Sequence, residues 1–409
     1  MYRSLLMRFI AIIIATCLFI FIEYKFEIID YLRFPNAAKT FEVNSASDFI
    51  AYSPDGKMFA VAGGKQIRAK ISFNTNVNGY TQVQVRRSQD GSLIKSLDFF
   101  SAQSLAFSPD SSMIAAGNRQ GKLSVWQISD GELVHSVERE IKFFSIVKSL
   151  AFTPTGNNLV EFTLSKNRLD YTIKIWNLND KTSRQISVDY LYGALSPDGK
   201  TIALVRRDKT INLYRFNDLT FIKKLDVVRP PSSDLKFSPD SKKIAFFSSL
   251  PLELNKPHTR STYIYSIEDG SLLNTFYYLP IFFMTKENPK DIAISPDGRY
   301  LAVSYRRSAP SSFFVGAPRP SKARFYGRIR VWRIEDGKQL QTLRGHKYRT
   351  DNVVFMPDSQ LLTSTGADGK VRIWKMPPRN YSRFWIFGGI CFAALVYWQR
   401  TSLINWISR

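Results

Sequence analysis

The side chains that most often carry enzyme chemistry are few in this chain of 409 residues, and they are far apart. The three histidines, His135, His258 and His346, fall in different repeats, and no Cys/His spacing typical of a metal site accompanies them. Neither a GxSxG nucleophile elbow nor a phosphate-binding GxxxxGK(S/T) loop occurs. The sequence therefore predicts a protein that is not an enzyme and uses no cofactor or metal. A carboxylate pair in a central channel stays open as the weaker alternative.

The residues that do recur at regular spacing are those of tight turns. Proline presets φ for the second position of a turn, aspartate can bond its own backbone, and glycine accepts a positive φ. Each turn therefore reverses the chain between two strand-forming runs, and the spacing brackets the roughly 40 to 50 residues of a propeller blade. The seven turns are SPDG at 53–56, SPDS at 108–111, TPTG at 153–156, SPDG at 196–199, SPDS at 238–241, SPDG at 295–298 and MPDS at 356–359.

Each turn belongs to a predicted unit of four strands, here called a to d. A third apolar run such as LSVWQI (123–128) follows the hairpin, and a second turn leads to a fourth run such as LVHSV (133–137). The last unit stops after its third run, VRIWKM (371–376), whereas KTFEV (39–43) precedes the first hairpin. We therefore expect an all-β, seven-bladed β-propeller over residues 37–376, with KTFEV closing the ring as the outer strand of the last blade.

The last unit resembles a repeat of the WD-repeat family of β-propellers. It has Gly345 and His346 before the hairpin, an ADG turn at 367–369 and a tryptophan in the third strand. The resemblance implies a structural, hydrogen-bonded tetrad made of His346, Asp368, Ser364 or Thr363, and Trp374. It also implies the assembly of protein partners rather than chemistry, although fold alone does not prove a function. No other unit has the Gly-His pair, and Tyr214 or Tyr265 replaces the tryptophan elsewhere.

Both ends of the chain are hydrophobic. Residues 9–22 carry no charge and approach the length of a membrane-spanning helix, so we predict an uncleaved anchor at 1–24. A secretory signal peptide is the alternative, but no small-x-small cleavage site follows. Residues 384–398 are also free of charge, with aromatic residues at both edges, and predict a second, short span or a re-entrant segment. The predicted organisation is completed by linkers at 25–36 and 377–383 and a tail at 399–409.

The composition favours anionic partners. The formal net charge is +23, which suits lipid headgroups or nucleic acid. Nucleic-acid binding is the alternative function, but no RNA-binding motif or stacking platform supports it. The only cysteines, Cys17 and Cys391, lie in the hydrophobic ends, so no disulfide framework is expected. Because more lysines and arginines flank the two segments on the propeller side, we expect an integral membrane protein with a cytoplasmic propeller.

Strand order assigns the connections to two faces of the disc. The a–b and c–d turns share what we call the tight-turn face, and the b–c and d–a connections share the long-loop face. The start and the end of the propeller fall on the tight-turn face, so we expect that face to meet the membrane. Basic residues that follow its turns could add attraction to anionic headgroups: Lys57, Lys200, Lys242, Lys243 and Arg299.

The long insertions fall on the long-loop face, at 63–80, 248–261, 277–290 and 305–327. Insertions of this length in a compact domain are usually functional or disordered. Two of them combine basic and aromatic residues, which suits protein recognition; the alternatives are a structureless Pro/Ser-rich insertion at 305–327 and self-packing of 277–290. The candidate partner-binding residues are Arg306, Arg307, Phe313, Phe314, Arg319, Lys322, Arg324, Tyr277, Tyr278, Phe282 and Phe283. The sequence thus predicts a membrane-anchored scaffold that binds proteins on its long-loop face.

Overall fold

The computed structural model describes residues 37–43, 49–72, 75–138, 146–164, 171–187, 190–208, 210–232, 235–248, 261–277, 286–308 and 327–376. The regular structure in these ranges is all β-strand. No helix in them is long and apolar enough to cross a membrane. The predicted anchors, linkers and tail at 1–24, 25–36, 377–383, 384–398 and 399–409 lie outside the described ranges.

The strands form seven sheets of four strands each, which confirms the all-β, seven-bladed propeller. Blade one consists of β2 (Ile50–Tyr52), β3 (Met58–Ser72), β4 (Thr75–Arg87) and β5 (Leu93–Asp98). Blade two consists of β6 (Ala102–Phe107), β7 (Met113–Asn118), β8 (Leu123–Gln127) and β9 (Leu133–Val137). Blade three consists of β10 (Ile146–Phe152), β11 (Asn158–Leu164), β12 (Tyr171–Asn177) and β13 (Ser183–Ser187). Blade four consists of β14 (Tyr192–Leu195), β15 (Thr201–Val205), β16 (Ile211–Arg215) and β17 (Phe221–Leu225). Blade five consists of β18 (Lys236–Phe237), β19 (Lys243–Ser248), β20 (Ser261–Ser266) and β21 (Leu272–Tyr277). Blade six is β22 (Lys286–Ile294), β23 (Tyr300–Ser308), β24 (Gly327–Arg333) and β25 (Gln339–Arg344). Blade seven joins β26 (Thr350–Phe355), β27 (Leu361–Gly366) and β28 (Lys370–Lys375) to β1 (Lys39–Glu42).

The blades are arranged as a closed ring. The innermost strand of each blade contacts the innermost strand of the next, and β26 contacts β2 across the seam. The hydrophobic core lies mainly between neighbouring blades: Val83 and Leu97 of the first blade share a cluster with Phe107 and Trp126 of the second. Closure hides the sheet edges that an open array would expose.

The strand β1 supplies the outer strand of the last blade, as the sequence predicts. It runs antiparallel to β28, with Lys39 opposite Ile373. Beyond the strand, the fully buried Val43 donates its amide to the Gly369 carbonyl at 3.0 Å. Phe41 stacks on Phe59 of the first blade with 6.0 Å between ring centroids. The start and the end of the propeller therefore lie side by side on the tight-turn face.

The insertion at 63–80 is not a loop, which corrects the sequence-based expectation. The strands β3 and β4 continue as a hairpin, with pairing from Gly63 opposite Gln82 to Ser72 opposite Thr75. Apolar residues alternate with polar ones along one arm, at Ile67, Ala69 and Ile71, and such a pattern supports a continued ladder. Likewise, β22 and β23 extend into the insertions at 277–290 and 305–327.

Five of the seven turns share one bonding pattern. The first serine is buried, its hydroxyl donates to the aspartate two residues later at 2.5 to 2.6 Å, and it accepts the amide five residues later at 2.8 to 2.9 Å. This bonding lies within each turn and holds the two strands of the a–b hairpin together. The five serines are Ser53, Ser108, Ser196, Ser238 and Ser295.

The fourth residue of each turn contacts the turn of the preceding blade. Where this residue is Gly199, an added Cβ would lie 2.4 Å from the ring of Pro154, so only glycine fits. In three other blades a serine stands there in the left-handed region, with φ between 58° and 63°. Each serine hydroxyl accepts a backbone amide from the preceding blade at 3.0 to 3.2 Å. The pairs are Ser111 with Asp55, Ser241 with Asp198 and Ser359 with Asp297.

Substitutions of Ser111 test whether this hydroxyl compensates for the strained backbone. We expect Ser111→Ala to destabilise the propeller by about 1 kcal/mol, because the bond to the Asp55 amide is lost while the positive φ remains. Ser111→Gly loses the same bond but relieves strain of roughly 1 kcal/mol, so its stability should stay close to that of the parent. Equal destabilisation by alanine and glycine in urea unfolding would contradict this explanation.

Candidate functional sites

The last blade contains a closed network of buried polar side chains. His346 Nδ1 lies 2.8 Å from Asp368 Oδ1 and 2.8 Å from Arg372 Nη1, and His346 Nε2 lies 2.8 Å from the Ser364 hydroxyl. The Trp374 indole donates to Ser364 Oγ at 3.0 Å. His346, Asp368 and Trp374 are members of the tetrad that the resemblance implies. Of the two alternatives for its fourth member, Ser364 is the one that bonds the histidine and the tryptophan. Thr363 instead bonds the Tyr52 hydroxyl of the first blade at 2.8 Å.

The network reaches one residue further than the sequence suggested. Arg372 Nη1 lies 2.9 Å from Asp368 Oδ2, and the Lys347 amide donates to the same oxygen at 3.0 Å. Burial alone would raise the pKa of Asp368, but His346, the Lys347 amide and Arg372 together lower it well below its usual range. Burial lowers the pKa of His346 more strongly than Asp368 raises it. The imidazole is therefore neutral at pH 7, and its two ring nitrogens join the carboxylate, the guanidinium and the serine hydroxyl in one buried network.

These shifts predict that the propeller loses stability as the pH falls from 7 towards 5. His346 stays neutral when folded, whereas a histidine in the unfolded chain takes up a proton near pH 6.5. The stabilisation is complete above that pH and is lost as the pH falls, by up to about 1.4 kcal/mol per pH unit. Asp368 adds a further loss below about pH 4, since its pKa is also lowered by folding.

Urea unfolding at pH 7.5 and 5.5 measures this dependence. His346→Asn should remove a large part of the change, while His135, whose pKa burial also lowers, retains the remainder. If the parent and the His346→Asn variant lose stability equally, His346 is not the responsible group.

Strand register identifies the positions that correspond to the tetrad in other blades. In the third blade Trp176 and Glu161 occupy the positions of Trp374 and Ser364. Glu161 is fully buried and accepts the Trp176 indole at 2.8 Å and the Thr163 hydroxyl at 2.7 Å. The sequence analysis missed this carboxylate. The single acidic residue within the otherwise largely apolar run LVEFTL (159–164) could have indicated it.

Tyrosines hold the aromatic position in blades four and five. Tyr214 lies opposite Ile202 and Tyr265 opposite Ile244, the same register that Trp374 has in the last blade. The Tyr265 hydroxyl accepts the Val228 amide at 2.9 Å. The sequence analysis identified both tyrosines as replacements for tryptophan, and their register agrees with that interpretation.

The basic residues of the tight-turn face lie beside acidic ones. Lys243 Nζ is 3.7 Å from Asp240, and Arg299 Nε is 3.7 Å from Asp297. Lys57 Nζ is 4.0 Å from Asp55. Six of the seven turns carry an aspartate, so much of the positive charge on this face has an acid close to it.

The long-loop face has a different balance around the innermost strands. There Asp291 pairs with Lys236 at 3.6 Å, and Asp351 pairs with Arg349 at 2.6 Å. Lys148 and Lys290, on the innermost strands β10 and β22, are exposed. Neither forms an ion pair with another residue that the structure describes. Positive charge therefore remains available where the innermost strands meet the long-loop face.

The predicted partner-binding residues fall in three groups. Tyr277, at the end of β21, is 62 % exposed. Arg306 and Arg307 belong to β23, where their backbones pair with Asn288 and Glu287 of β22. The other candidates lie outside the described residues: Tyr278, Phe282, Phe283, Phe313, Phe314, Arg319, Lys322 and Arg324.

Two family profiles match parts of the chain. The profile "WD domain, G-beta repeat" matches residues 337–375, which cover the outer strand β25 of blade six and the strands β26, β27 and β28 of blade seven. The profile "Eukaryotic translation initiation factor eIF2A" matches residues 42–194. The first match contains the His346, Ser364, Asp368 and Trp374 network.

Curated relatives align over parts of the propeller. The chain is similar to apoptotic protease-activating factor 1 of Danio rerio, with 22 % identity over 58 % of this chain and 17 % of that protein. It is also similar to the small ribosomal subunit protein RACK1 of Brassica napus, with 32 % identity over 25 % of this chain and 29 % of that protein. The chain thus spans less than a third of the length of these relatives.

A solved structure resembles the whole ring. The β-propeller domain of Myceliophteria thermophila Cps50 (Swd1) superposes with a TM-score of 0.61 at 12 % sequence identity. The superposition covers 83 % of this chain and 99 % of that domain. This likeness shows the β-propeller fold, and the segment 337–375 matches the WD-repeat profile.

Proposed function

We propose that the protein is a membrane-tethered, non-catalytic scaffold that binds an acidic region of a partner protein on its long-loop face. The WD-repeat propeller supports the scaffold role, since such propellers commonly bind protein partners. The observation that carries the choice of face is the unequal charge balance. Lys148 and Lys290 are exposed and form no ion pair among the described residues, and Asp291 and Asp351 of the same face already have basic partners, whereas Lys57, Lys243 and Arg299 of the tight-turn face lie within 4.0 Å of an aspartate.

The basic insertion at 305–327 supports the same face. It contains Arg306, Arg307, Arg319, Lys322 and Arg324 and no acidic residue. It leaves the propeller between β23 and β24, at the end of blade six from which Lys290 is also presented. Complementary charge increases the rate of association and orients the partner. The exposed Tyr277 supplies an aromatic contact of the kind found at binding hot spots.

Proximity labelling from a tag within 305–327 tests this proposal. Lys148→Glu/Lys290→Glu should reduce labelling of the partner roughly tenfold, because like charges placed opposite each other cost several kcal/mol. The matched control, Lys242→Glu/Lys243→Glu, makes the same change of charge on the tight-turn face and should leave labelling unchanged. Equal losses in both variants would indicate that only net charge matters. Salt-sensitive retention on nucleic acid would favour the alternative function.

The membrane tether has its own test. The charge-free segments 9–22 and 384–398 flank the propeller, and the propeller starts and ends on one face. The protein should therefore stay with membranes through an alkaline carbonate wash, and deletion of 1–24 should leave it held by 384–398. Release of the truncated form would show that the second segment does not span. Protease added to intact cells should leave a cytoplasmic propeller whole until the cells are lysed; digestion before lysis would reverse the orientation.

A further inference from the structure

The closure seam contains a cavity of about 750 Å³ on the tight-turn face. Its walls come from the first blade, through Met58 and Ile94, and from the last blade, through Met356, Leu361 and Ile373. The lining is mostly apolar, and the volume lies within the range of small-molecule and lipid pockets. The seam therefore has room for a ligand that is partly apolar.

Four cations surround this apolar lining. Lys39, Lys57, Arg87 and Lys375 line the cavity together with one acid, Asp55. Lys57 lies 4.0 Å from Asp55, and Lys39 donates to the Gln89 carbonyl. Arg87 and Lys375 are exposed and form no ion pair within 4 Å among the residues that the structure describes, although Arg87 contributes to lowering the pKa of Asp90. The cavity rim therefore carries four cations against one lining acid.

The geometry of closure explains the excess. The last blade has no c–d turn, because its outer strand β1 comes from the other end of the propeller. The turn that would supply acids, such as the Asp130 and Glu132 pair of the second blade, is replaced by Lys39 and Lys375. An apolar cavity with a cationic rim is complementary to a molecule with an apolar tail and an anionic head.

The cavity lies where the described propeller starts and ends, with Ala38, Lys39, Ile373 and Lys375 in its lining. Residues 384–398 begin about nine residues after Lys375, and an extended chain of that length reaches at most about 30 Å. We propose that the closure seam binds an anionic phospholipid, with the headgroup at Lys57, Arg87 and Lys375 and an acyl chain against Met58, Ile94 and Met356. This inference rests on the membrane tether proposed above. The sequence that follows β28 carries Arg379 and Arg383, whose positive charge is not complementary to a cationic rim.

Photo-crosslinking of the full chain in nanodiscs tests the site. The first set of discs contains phosphatidylcholine alone. The second set also contains phosphatidylserine with a photoactivatable acyl chain. A third set contains a neutral lipid with the same photoactivatable acyl chain instead of phosphatidylserine. We expect crosslinks at the peptides that contain Met58 and Met356 only with the anionic probe. Lys57→Gln/Arg87→Gln/Lys375→Gln should reduce them at least tenfold, because each basic residue near a surface contributes substantially to binding anionic lipid. Lys242→Gln/Lys243→Gln/Arg299→Gln is the matched control and should change them little.

A second pair of variants separates the acyl chain from the headgroup. Met58→Trp fills the cavity without changing any charge and should abolish the crosslinks, while Met58→Leu should retain them. Equal labelling by the neutral probe, equal loss in the two triple variants, or loss of labelling on adding inorganic phosphate would each overturn the proposal. If the protein fails to insert into the discs at all, the tether is wrong; insertion without labelling at the seam rejects the lipid site alone.

Discussion

Deletion of residues 37–43 is expected to open the ring and unfold the propeller. The deletion removes the ladder between β1 and β28, the buried side chain of Val43 and the stacking of Phe41 on Phe59. Each backbone hydrogen bond contributes about 1 kcal/mol, and burial of one valine contributes about 1.5 kcal/mol or more. The total is comparable with the 5 to 15 kcal/mol that separates a typical folded domain from its unfolded state.

Thermal unfolding of the full chain measures this effect, and a permuted variant supplies the control. Because Lys39 lies opposite Ile373, the start of β1 is close to the end of β28. Moving residues 37–43 to follow residue 376 through a short glycine-containing turn should restore the ladder and most of the stability. An unchanged melting temperature after the simple deletion would reject the closure scheme.

The second large effect is expected at His346. His346→Ala removes a fully buried ring and leaves Asp368 and Ser364 without their partner, which should destabilise the protein by about 3 kcal/mol. Trp374→Phe removes the indole donor to Ser364 and also puts a smaller ring in a fully buried position, so its effect should be about 2 kcal/mol.

A double substitution identifies the source of the loss. In the His346→Ala background, Asp368→Ala removes the carboxylate that has lost its partner, so the double variant should be less destabilised than the sum of the two single variants. Additive losses in chemical denaturation would show that the two side chains stabilise the blade independently. Thr363→Val is a useful reference, because its hydroxyl bonds Tyr52 outside the network.

The features that the sequence predicted are those that depend on local chemistry. The bonding of Ser53 and Asp55 acts within a few residues, so the turn, the hairpin and the blade period could be inferred directly. The outer strand at 39–43 could be assigned because the last unit lacked one. The position of His346 relative to Asp368 followed from the family resemblance, and the hydrogen bonds have the expected geometry.

The features that the sequence did not predict depend on which residues face each other across the fold. The bond between Ser111 and the Asp55 amide joins two blades, and no pattern within one repeat reveals it. Glu161 could be matched with Ser364 only after the strand register was known. The continued hairpin of β3 and β4 was missed because its length suggested a loop, although its alternation indicated strands.

Closure by β1 has a consequence for the order of folding. The chain is made from its amino terminus, so β1 leaves the ribosome first but cannot pair until β28 follows at the other end of the propeller. Contacts between residues so distant in sequence form slowly, since a very long loop must close first. During synthesis the nascent propeller thus has an unpaired strand at its start and an uncovered edge on its newest blade. Nascent chains arrested before residue 361 should need chaperones to stay soluble, and completion of the ring should end that requirement.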